Sequence, residues 1–223
     1  MLLGTFEGLI TLLNKKKFFS FVQSQRLSLF RILETKIRRE HLASTVSHCF
    51  PPHWLHYSNI DVMGSTARII LAWDSLVLTV NILTFSPQMV LAKVASVEWK
   101  KDFFVSIIYG ANGIRDRRQL WAELRTAKFS IGNAAWVQLG DFNIVRKPTK
   151  RLMGFDSAAT SEFNTCLYDV EMDDLPATGY WYTWSNKCGG VGDNKSKLDR
   201  VLVNTSWLDE FPNSEACFLA PRV

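Results

Sequence analysis

Residues 134–143 read AAWVQLGDFN, and this segment carries more structural information than any other in the chain. An apolar run of strand length ends at a glycine, which predicts a strand over residues 134–139 and a turn at Gly140. The turn presents the carboxylate of Asp141 and the amide of Asn143 together, a pair that can orient a water molecule and a phosphate. Asp-x-Asn after a strand is also an ordinary turn sequence, so a functional interpretation depends on partners elsewhere in the chain.

Strands outnumber helices on both sides of this segment. Runs rich in β-branched and aromatic residues predict strands at residues 27–33, 68–73, 76–83, 90–99, 103–109, 180–185, 197–203 and 216–219. Apolar residues at helical spacing predict helices at residues 16–25, 115–129 and 158–171, with a helical turn around Trp207. No internal repeat or linker divides the chain, which predicts one α+β domain over residues 1–223, with two sheets and helices outside them.

Composition narrows the class of protein. Hydrophobic residues make up 47% and charged residues 21%, which argues against wholesale disorder. The net charge of +5 permits a polyanionic partner, although such an excess also occurs on proteins that bind no nucleic acid. The scattered cysteines include no CxxC pair. The lysines near the first residues follow the apolar residues 1–13, whereas a secretory signal has its positive charges before the apolar segment. No apolar run approaches ~20 residues, the length that a membrane-spanning helix requires. We therefore expect a nuclear or cytoplasmic monomer, with no membrane and no disulfide-linked partner.

Polar residues with chemical potential occur at or near the ends of predicted strands, within five short blocks. The blocks are LETK at 33–36, IYGAN at 108–112, GDFN at 140–143, YTWSN at 182–186 and LDRVL at 198–202. Each block is weak alone, but five in one order make coincidence a poor explanation.

In sequence and order the blocks resemble the endonuclease/exonuclease/phosphatase superfamily, and most closely the endonuclease domain of plant non-LTR (LINE-type) retrotransposons. The similarity covers nearly the whole chain. It implies a DNase I-like fold, a four-layer α/β/β/α sandwich, that cleaves a DNA phosphodiester with Mg²⁺ or Mn²⁺. DNA is the implied partner, since lipid or sugar phosphates would need substrate loops of their own.

The resemblance also implies roles for individual residues. Glu34 would bind the metal, a hard cation that prefers oxygen ligands, and Tyr109 and Asn112 would hold the scissile phosphate. Glu34 is otherwise a solvated charge, and Tyr109 is otherwise an ordinary core residue.

Three further residues complete the implied site. Asp141 would position or deprotonate the attacking water, and Asn143 would donate a hydrogen bond to the same phosphate. Asp199 would orient the histidine that acts with the nucleophile. We expect the chain to be shortened and its catalysis impaired, because the family places that histidine in a Ser-Asp-His block, and the chain ends at Val223 where this block is expected to begin.

A second departure lies near the first residue. The family opens with Trp-Asn-x-Arg-Gly-Leu-Asn, and only Gly8-Leu9 of this pattern occurs here. Thr5 stands at the metal-site asparagine and Glu7 at the arginine, so we expect weakened metal binding. Losing a general base costs ~10²- to 10⁴-fold in rate, and turnover should be barely measurable.

Several features leave alternatives open. His41, His48, Cys49, His53 and His56 suggest zinc, but their spacing matches no finger pattern, so a surface loop is the better interpretation.

Two basic clusters flank the phosphate-binding blocks. Arg115, Arg117 and Arg118 are either DNA contacts or a solvated helix face, and for the second cluster we favour DNA contact; its members are Lys147, Lys150 and Arg151. The aromatic residues Trp181, Tyr182 and Trp184 are candidates for stacking on a base, although core packing is favoured for Trp184. A non-catalytic DNA- or protein-binding module, or a working nuclease or phosphatase completed by missing sequence, remain the alternative functions.

Overall fold

The computed structural model describes residues 2–7, 20, 22–98, 100–147, 156–186, 188 and 194–219. The chain divides into two compact units, Met1–Asp102 and Phe103–Val223, each with strands and helices. The α+β class is therefore confirmed, and the single domain over residues 1–223 stays a prediction. Within the described part of the chain, no helix is long and apolar enough to cross a membrane.

The first unit contains a four-stranded mixed sheet. Its strands are β1 (Leu2–Glu7), β2 (Leu27–Arg38), β3 (Trp54–Ser58) and β4 (Thr66–Asp74), in the spatial order β1-β2-β4-β3. β1 runs parallel to β2, and the other neighbours are antiparallel. Ile69, Ile70 and Leu71 of β4 are all fully buried, so this strand is covered on both faces, as its continuous apolar sequence requires.

A helix and an aromatic pair pack against this sheet. In α1 (Arg39–Cys49), Val46 and Cys49 are buried, and the following Phe50 stacks on Trp54 of β3 with ring centroids 5.1 Å apart. The prediction of a surface loop over residues 41–56 is therefore wrong, because the apolar residues between the histidines join the core. A single turn, α2 (Ile60–Met63), follows.

A hairpin completes the first unit. Its antiparallel strands are β5 (Leu78–Phe85) and β6 (Met89–Ser96), displaced by one to three residues from the predicted ends. The buried Asn59 donates from Nδ2 to the Ser86 carbonyl (3.0 Å) and accepts from the Ile69 N–H (2.9 Å). One side chain thus ties the hairpin turn to β4.

Four neighbouring strands form the sheet of the second unit. They are β7 (Asp102–Tyr109), β8 (Trp136–Asp141), β9 (Asp173–Asp174) and β13 (Asp199–Val203), in the spatial order β7-β8-β13-β9. α3 (Ile114–Ile131) connects β7 to β8, and such a crossover allows these two strands to run parallel. β13 runs antiparallel to both of its neighbours.

Two helices pack together in this unit. Trp121 of α3 stacks on Phe163 of α4 (Ser157–Asp169) with ring centroids 5.0 Å apart. Ion pairs join α3 to α4 and the residues just after it: Arg118–Glu162, Arg125–Asp169 and Lys128–Glu171. Both helices were predicted to within two residues of their observed ends.

The remaining elements are short. β10 (Ala177–Gly179) pairs with β14 (Ala216–Phe218), β11 (Trp184–Ser185) pairs with β12 (Lys195–Ser196), and α5 (Thr205–Glu210) follows β13. The predicted strand at 180–185 is wrong except for its last two residues, because Gly179 turns the chain with φ +85°.

Candidate active site

Three strands of the second unit bring three predicted site residues side by side. Tyr109 is in register with Asp141 across the parallel pair β7-β8, and Asp199 is in register with Asp141 across the antiparallel pair β8-β13. Residues in register on neighbouring strands share a face of the sheet. Asp199 is buried, whereas Tyr109 and Asp141 are half-buried. We call this arrangement of a phenol and two carboxylates the site row.

Two glycines allow the close backbone approach beneath the site row. A Cβ on Gly140, which has φ +156°, would lie 1.9 Å from the Ile108 carbonyl oxygen, and a Cβ on Gly110 would lie 2.7 Å from that of Phe142. The predicted turn at Gly140 is wrong, since β8 continues to Asp141. The glycine serves strand packing, and Gly110 N–H then donates to the Asp141 carbonyl at 2.7 Å.

Asn143 closes the loop that follows β8. Its backbone has φ +50°, its N–H donates to Oδ1 of Asp141 (2.7 Å), and its Nδ2 donates to the Gly110 carbonyl (2.6 Å). An amide nitrogen carries two hydrogens, so Nδ2 can donate one further hydrogen bond. The left-handed backbone suits asparagine better than most residues.

Thr183 fixes the start of β13. Its Oγ1 accepts from the N–H groups of Leu198 (3.1 Å) and Asp199 (3.0 Å), while Phe142 N–H donates to the Leu198 carbonyl (3.1 Å). The sequence places Thr183 within the YTWSN block but indicated no role for it. The hydroxyl between two aromatic residues was the available signal.

Asn112 lies in an exposed loop between β7 and α3, and Arg117 lies beneath it. The Arg117 side chain is buried, and its Nη1 donates to the carbonyls of Ala111 (2.7 Å) and Asn112 (2.8 Å). Burial lowers the Arg117 pKa, an effect that nearby carboxylates, including Asp141, oppose. Neither interpretation of this basic cluster holds for Arg117, which is buried among protein groups.

An ion-pair network with one buried member, Arg200, supports β13 from its other side. Arg200, 1% exposed, donates from Nη1 to both carboxylate oxygens of Asp174 (2.9 and 3.1 Å), and Arg146 also binds Asp174 (2.9 Å). Burial lowers the Arg200 pKa, and Asp174 opposes that effect. Arg200 follows Asp199 directly, so the network anchors the strand that carries this carboxylate.

The predicted metal ligand Glu34 belongs to the first unit. It is exposed and lies in a bulge of β2, where the pairing with β4 shifts between Leu33 and Ile37. Glu34 and Lys36 have φ +52° and +48°, and Thr35 Oγ1 donates to the Ala67 carbonyl at 2.7 Å. Left-handed residues with a Cβ store backbone strain, and such bulges concentrate at functional sites.

The remaining predicted residues lie on the surface or outside the described part of the chain. Lys147 is exposed just after Asn143, and Lys150 and Arg151 lie outside the described residues. Trp181 is 54% and Trp184 43% exposed, so the expectation of a core position for Trp184 is wrong.

Whether these residues can hold a metal ion depends on the donor atoms that they offer. The described residues contain no group of three or more His, Cys, Asp and Glu side chains arranged to hold a metal. A Mg²⁺ site needs fewer protein ligands, because Mg²⁺ keeps several bound waters and binds only one or two carboxylates. The oxygen-only site row and the exposed Glu34 carboxylate fit that requirement, each within its own unit.

No protein-family model and no curated protein matches this sequence. Among solved structures, the chain is similar to the endonuclease domain of TRAS1, a telomere-specific non-LTR retrotransposon, with 14% identity and TM-score 0.69, covering 92% of this chain and 86% of that one. It is also similar to an AP endonuclease from Leishmania major, with 12% identity and TM-score 0.65 (92% and 78% covered). A mannosyl-6-phosphatase from Bacteroides thetaiotaomicron has 11% identity and TM-score 0.62 (92% and 84% covered). These similarities show the fold of the endonuclease/exonuclease/phosphatase proteins, as the resemblance implied.

Proposed function

We propose that this protein is a DNA phosphodiesterase-like domain, derived from a plant retroelement endonuclease, that binds a DNA phosphodiester at the site row and hydrolyses it poorly. The observation that carries the proposal is the register of Tyr109, Asp141 and Asp199 on three neighbouring strands. The fold that the chain shares with the TRAS1 endonuclease domain and with an AP endonuclease supports DNA as the ligand.

The side chains of the site row have complementary chemistry. The Asp141 carboxylate holds the attacking water and accepts its proton. The Tyr109 hydroxyl, the exposed Asn112 amide and the second Nδ2 hydrogen of Asn143 donate to phosphoryl oxygens, where negative charge increases in the transition state. Thr183 and the Arg200–Asp174 pair hold Asp199 in place.

Mg²⁺ or Mn²⁺ is the proposed cofactor, with Glu34 as its principal protein ligand. When bound, the ion would supply positive charge of the kind that neutralises phosphate oxygens. Thr5 pairs with Arg31 in the β1-β2 ladder and supplies a hydroxyl where the resembling endonucleases have an amide. A hydroxyl in place of that amide supports weakened metal binding.

Poor hydrolysis is proposed from the distribution of histidines. All four lie at residues 41–56, on or beside α1 and β3, and residues 103–223 contain none. No imidazole of the second unit can therefore act with Asp199, and the transfer of the proton depends on Asp141. Absence of one general acid–base group typically lowers the rate by ~10²- to 10⁴-fold.

The test is nicking of supercoiled plasmid with Mg²⁺ or Mn²⁺, combined with binding of a short duplex measured by fluorescence anisotropy. We expect nicking no higher than background and salt-sensitive binding, because phosphate contacts release counterions. Metal-dependent nicking that Asp141→Ala abolishes would contradict poor hydrolysis while supporting the site. Undetectable binding at low salt would contradict DNA as the ligand.

A non-catalytic DNA- or protein-binding module is the second candidate. The exposed indoles of Trp181 and Trp184 favour it, since aromatic faces stack on bases or anchor protein partners. A Trp181→Ala/Trp184→Ala variant that loses DNA binding, while Asn112→Ala keeps it, would select this candidate.

A further inference from the structure

The loop between β7 and α3 contains the proposed phosphate ligand Asn112. The conformation of this loop is fixed by hydrogen bonds from the buried Arg117 side chain. The carbonyls of Ala111 and Asn112 both point at Nη1 of the buried Arg117, at 2.7 and 2.8 Å. Because the peptide group is planar and trans, the N–H of Asn112 points opposite to the Ala111 carbonyl, away from the guanidinium. The Asn112 residue itself is exposed.

The position of Arg117 is itself fixed. It lies in the first turn of α3, where its N–H donates to the Gly113 carbonyl at 3.1 Å. Its charge interacts with Asp156, Asp141 and Glu162, which only partly offset the lowering of its pKa by burial. A buried cation that donates to two loop carbonyls resists movement, since releasing it leaves an unpaired charge in the interior.

We infer that Arg117 is a positioning residue for phosphate binding: it draws the carbonyls of the 110–113 loop inward and so turns Asn112 and its backbone N–H towards the DNA phosphate. This inference rests on the proposed function, because it assigns the loop a phosphate ligand. Arg117 touches no substrate and acts through Asn112. Arg117 therefore differs in role from its neighbours Arg115 and Arg118, because it is buried and holds the loop through hydrogen bonds to its carbonyls.

The chain offers a matched control on the same helix. Arg125 is also a helix α3 arginine with an acidic partner, Asp169 at 2.7 Å, but its side chain is 42% exposed and its partner lies on α4. Arg125→Met removes the same charge and one ion pair. Arg117→Lys keeps a charge and, because a single nitrogen makes both loop bonds, an ammonium group can replace them.

The experiment measures duplex binding by anisotropy at low salt, with thermal unfolding as a check on folding. We expect Arg117→Met and Asn112→Ala each to weaken binding by about tenfold, the double variant to bind no more weakly than either single one, and Arg117→Lys to recover most of the loss. Arg125→Met should remain within about twofold of the original protein. Hydrogen exchange of peptides spanning residues 110–113 should accelerate in Arg117→Met and not in Arg125→Met.

The outcomes separate the inference from the proposed function. Additive losses in the double variant, or unchanged loop exchange in a folded Arg117→Met, overturn the positioning role. Faster loop exchange together with normal binding by Asn112→Ala supports the positioning of the loop but overturns Asn112 as a phosphate ligand. If Arg117→Met does not fold, Arg117→Lys carries the same comparison, and failure of Lys to preserve loop protection counts against the inference.

Discussion

Two carboxylates of the proposed chemistry, Glu34 and Asp141, are presented by opposite structural means. At Glu34, two residues with side chains adopt left-handed backbone in a bulge, and the carboxylate is exposed. At Asp141, glycines take the close contacts, and hydrogen bonds from Gly110 and Asn143 surround the strand end. The first region has two left-handed residues with side chains, whereas the second has one, Asn143, whose hydrogen bonds hold it in place. Stability and function should therefore respond differently to substitution in the two regions.

The largest expected effect is at Gly140. Gly140→Ala places a Cβ 1.9 Å from the Ile108 carbonyl oxygen, so β7 and β8 must separate, and we expect a loss of more than about 4 kcal/mol in the free energy of unfolding. Gly132→Ala is the control, since Gly132 also has positive φ but a Cβ added there would meet nothing within 4 Å; its loss should be about 1 kcal/mol. Urea denaturation measures both, and similar losses would show that the second region is less tightly fixed than its contacts indicate.

A smaller loss is expected at Thr183. Thr183→Val leaves the N–H groups of Leu198 and Asp199 without their hydroxyl acceptor, which should lower the free energy of unfolding by about 2 kcal/mol. Thr183→Ser keeps the hydroxyl and should recover most of that loss in the same denaturation assay. Equal stability of the Val and Ser variants would contradict a bracing role for Thr183.

The strained region should respond in the opposite direction. Glu34→Gly relieves the left-handed backbone and should raise the free energy of unfolding by about 0.5 kcal/mol. Lys36→Gly relieves the same kind of strain but keeps the carboxylate, so it is the matched control. Mg²⁺ binding, measured by isothermal titration calorimetry, should be lost in Glu34→Gly and retained in Lys36→Gly. Loss of Mg²⁺ binding in both variants would assign it to the bulge geometry.

The smallest expected effect is a dependence on acid pH in the second region. Burial opposes ionisation of Asp173, but hydrogen bonds from Arg146 and from the Asp174 N–H outweigh it, and the Asp173 pKa falls below its ordinary value of 3.8. The stabilisation is therefore present above about pH 3.8 and is lost as pH falls below it. Because Asp173 is exposed, we expect a change well under about 1 kcal/mol between pH 5 and pH 3. The urea midpoint of Asp173→Asn should change less over that interval than the midpoint of the original protein.

Regular elements with a clear apolar pattern were predictable from the sequence. The strand at β4 and the helices α3 and α4 occur within two residues of their predicted ends, since their burial depends on their own periodicity. The residues 41–56 were not predictable in this way, because α1 has a weak apolar stripe and its place depends on Phe50 and Trp54 packing against β2 and β4.

The candidate site also has features that the sequence predicted and features that it did not. The order of Tyr109, Asp141 and Asp199 along the chain was informative because each begins or ends a strand, and only strand pairing brings them into register. The hydrogen bonds of Thr183 and Arg117 were not predicted, since each depends on backbone groups that only the folded chain brings within reach.

The glycines at 110 and 140 have an evolutionary consequence. Both are required by the spacing of two backbones, so natural selection that acts on folding alone would retain them after selection for cleavage had ceased. In a lineage that evolves under such selection, a Gly-Asp-Phe-Asn signature would persist because folding requires it, even where catalytic activity has been lost. Genome surveys that count this signature would then record descendants of an enzyme, whether or not those descendants still cut.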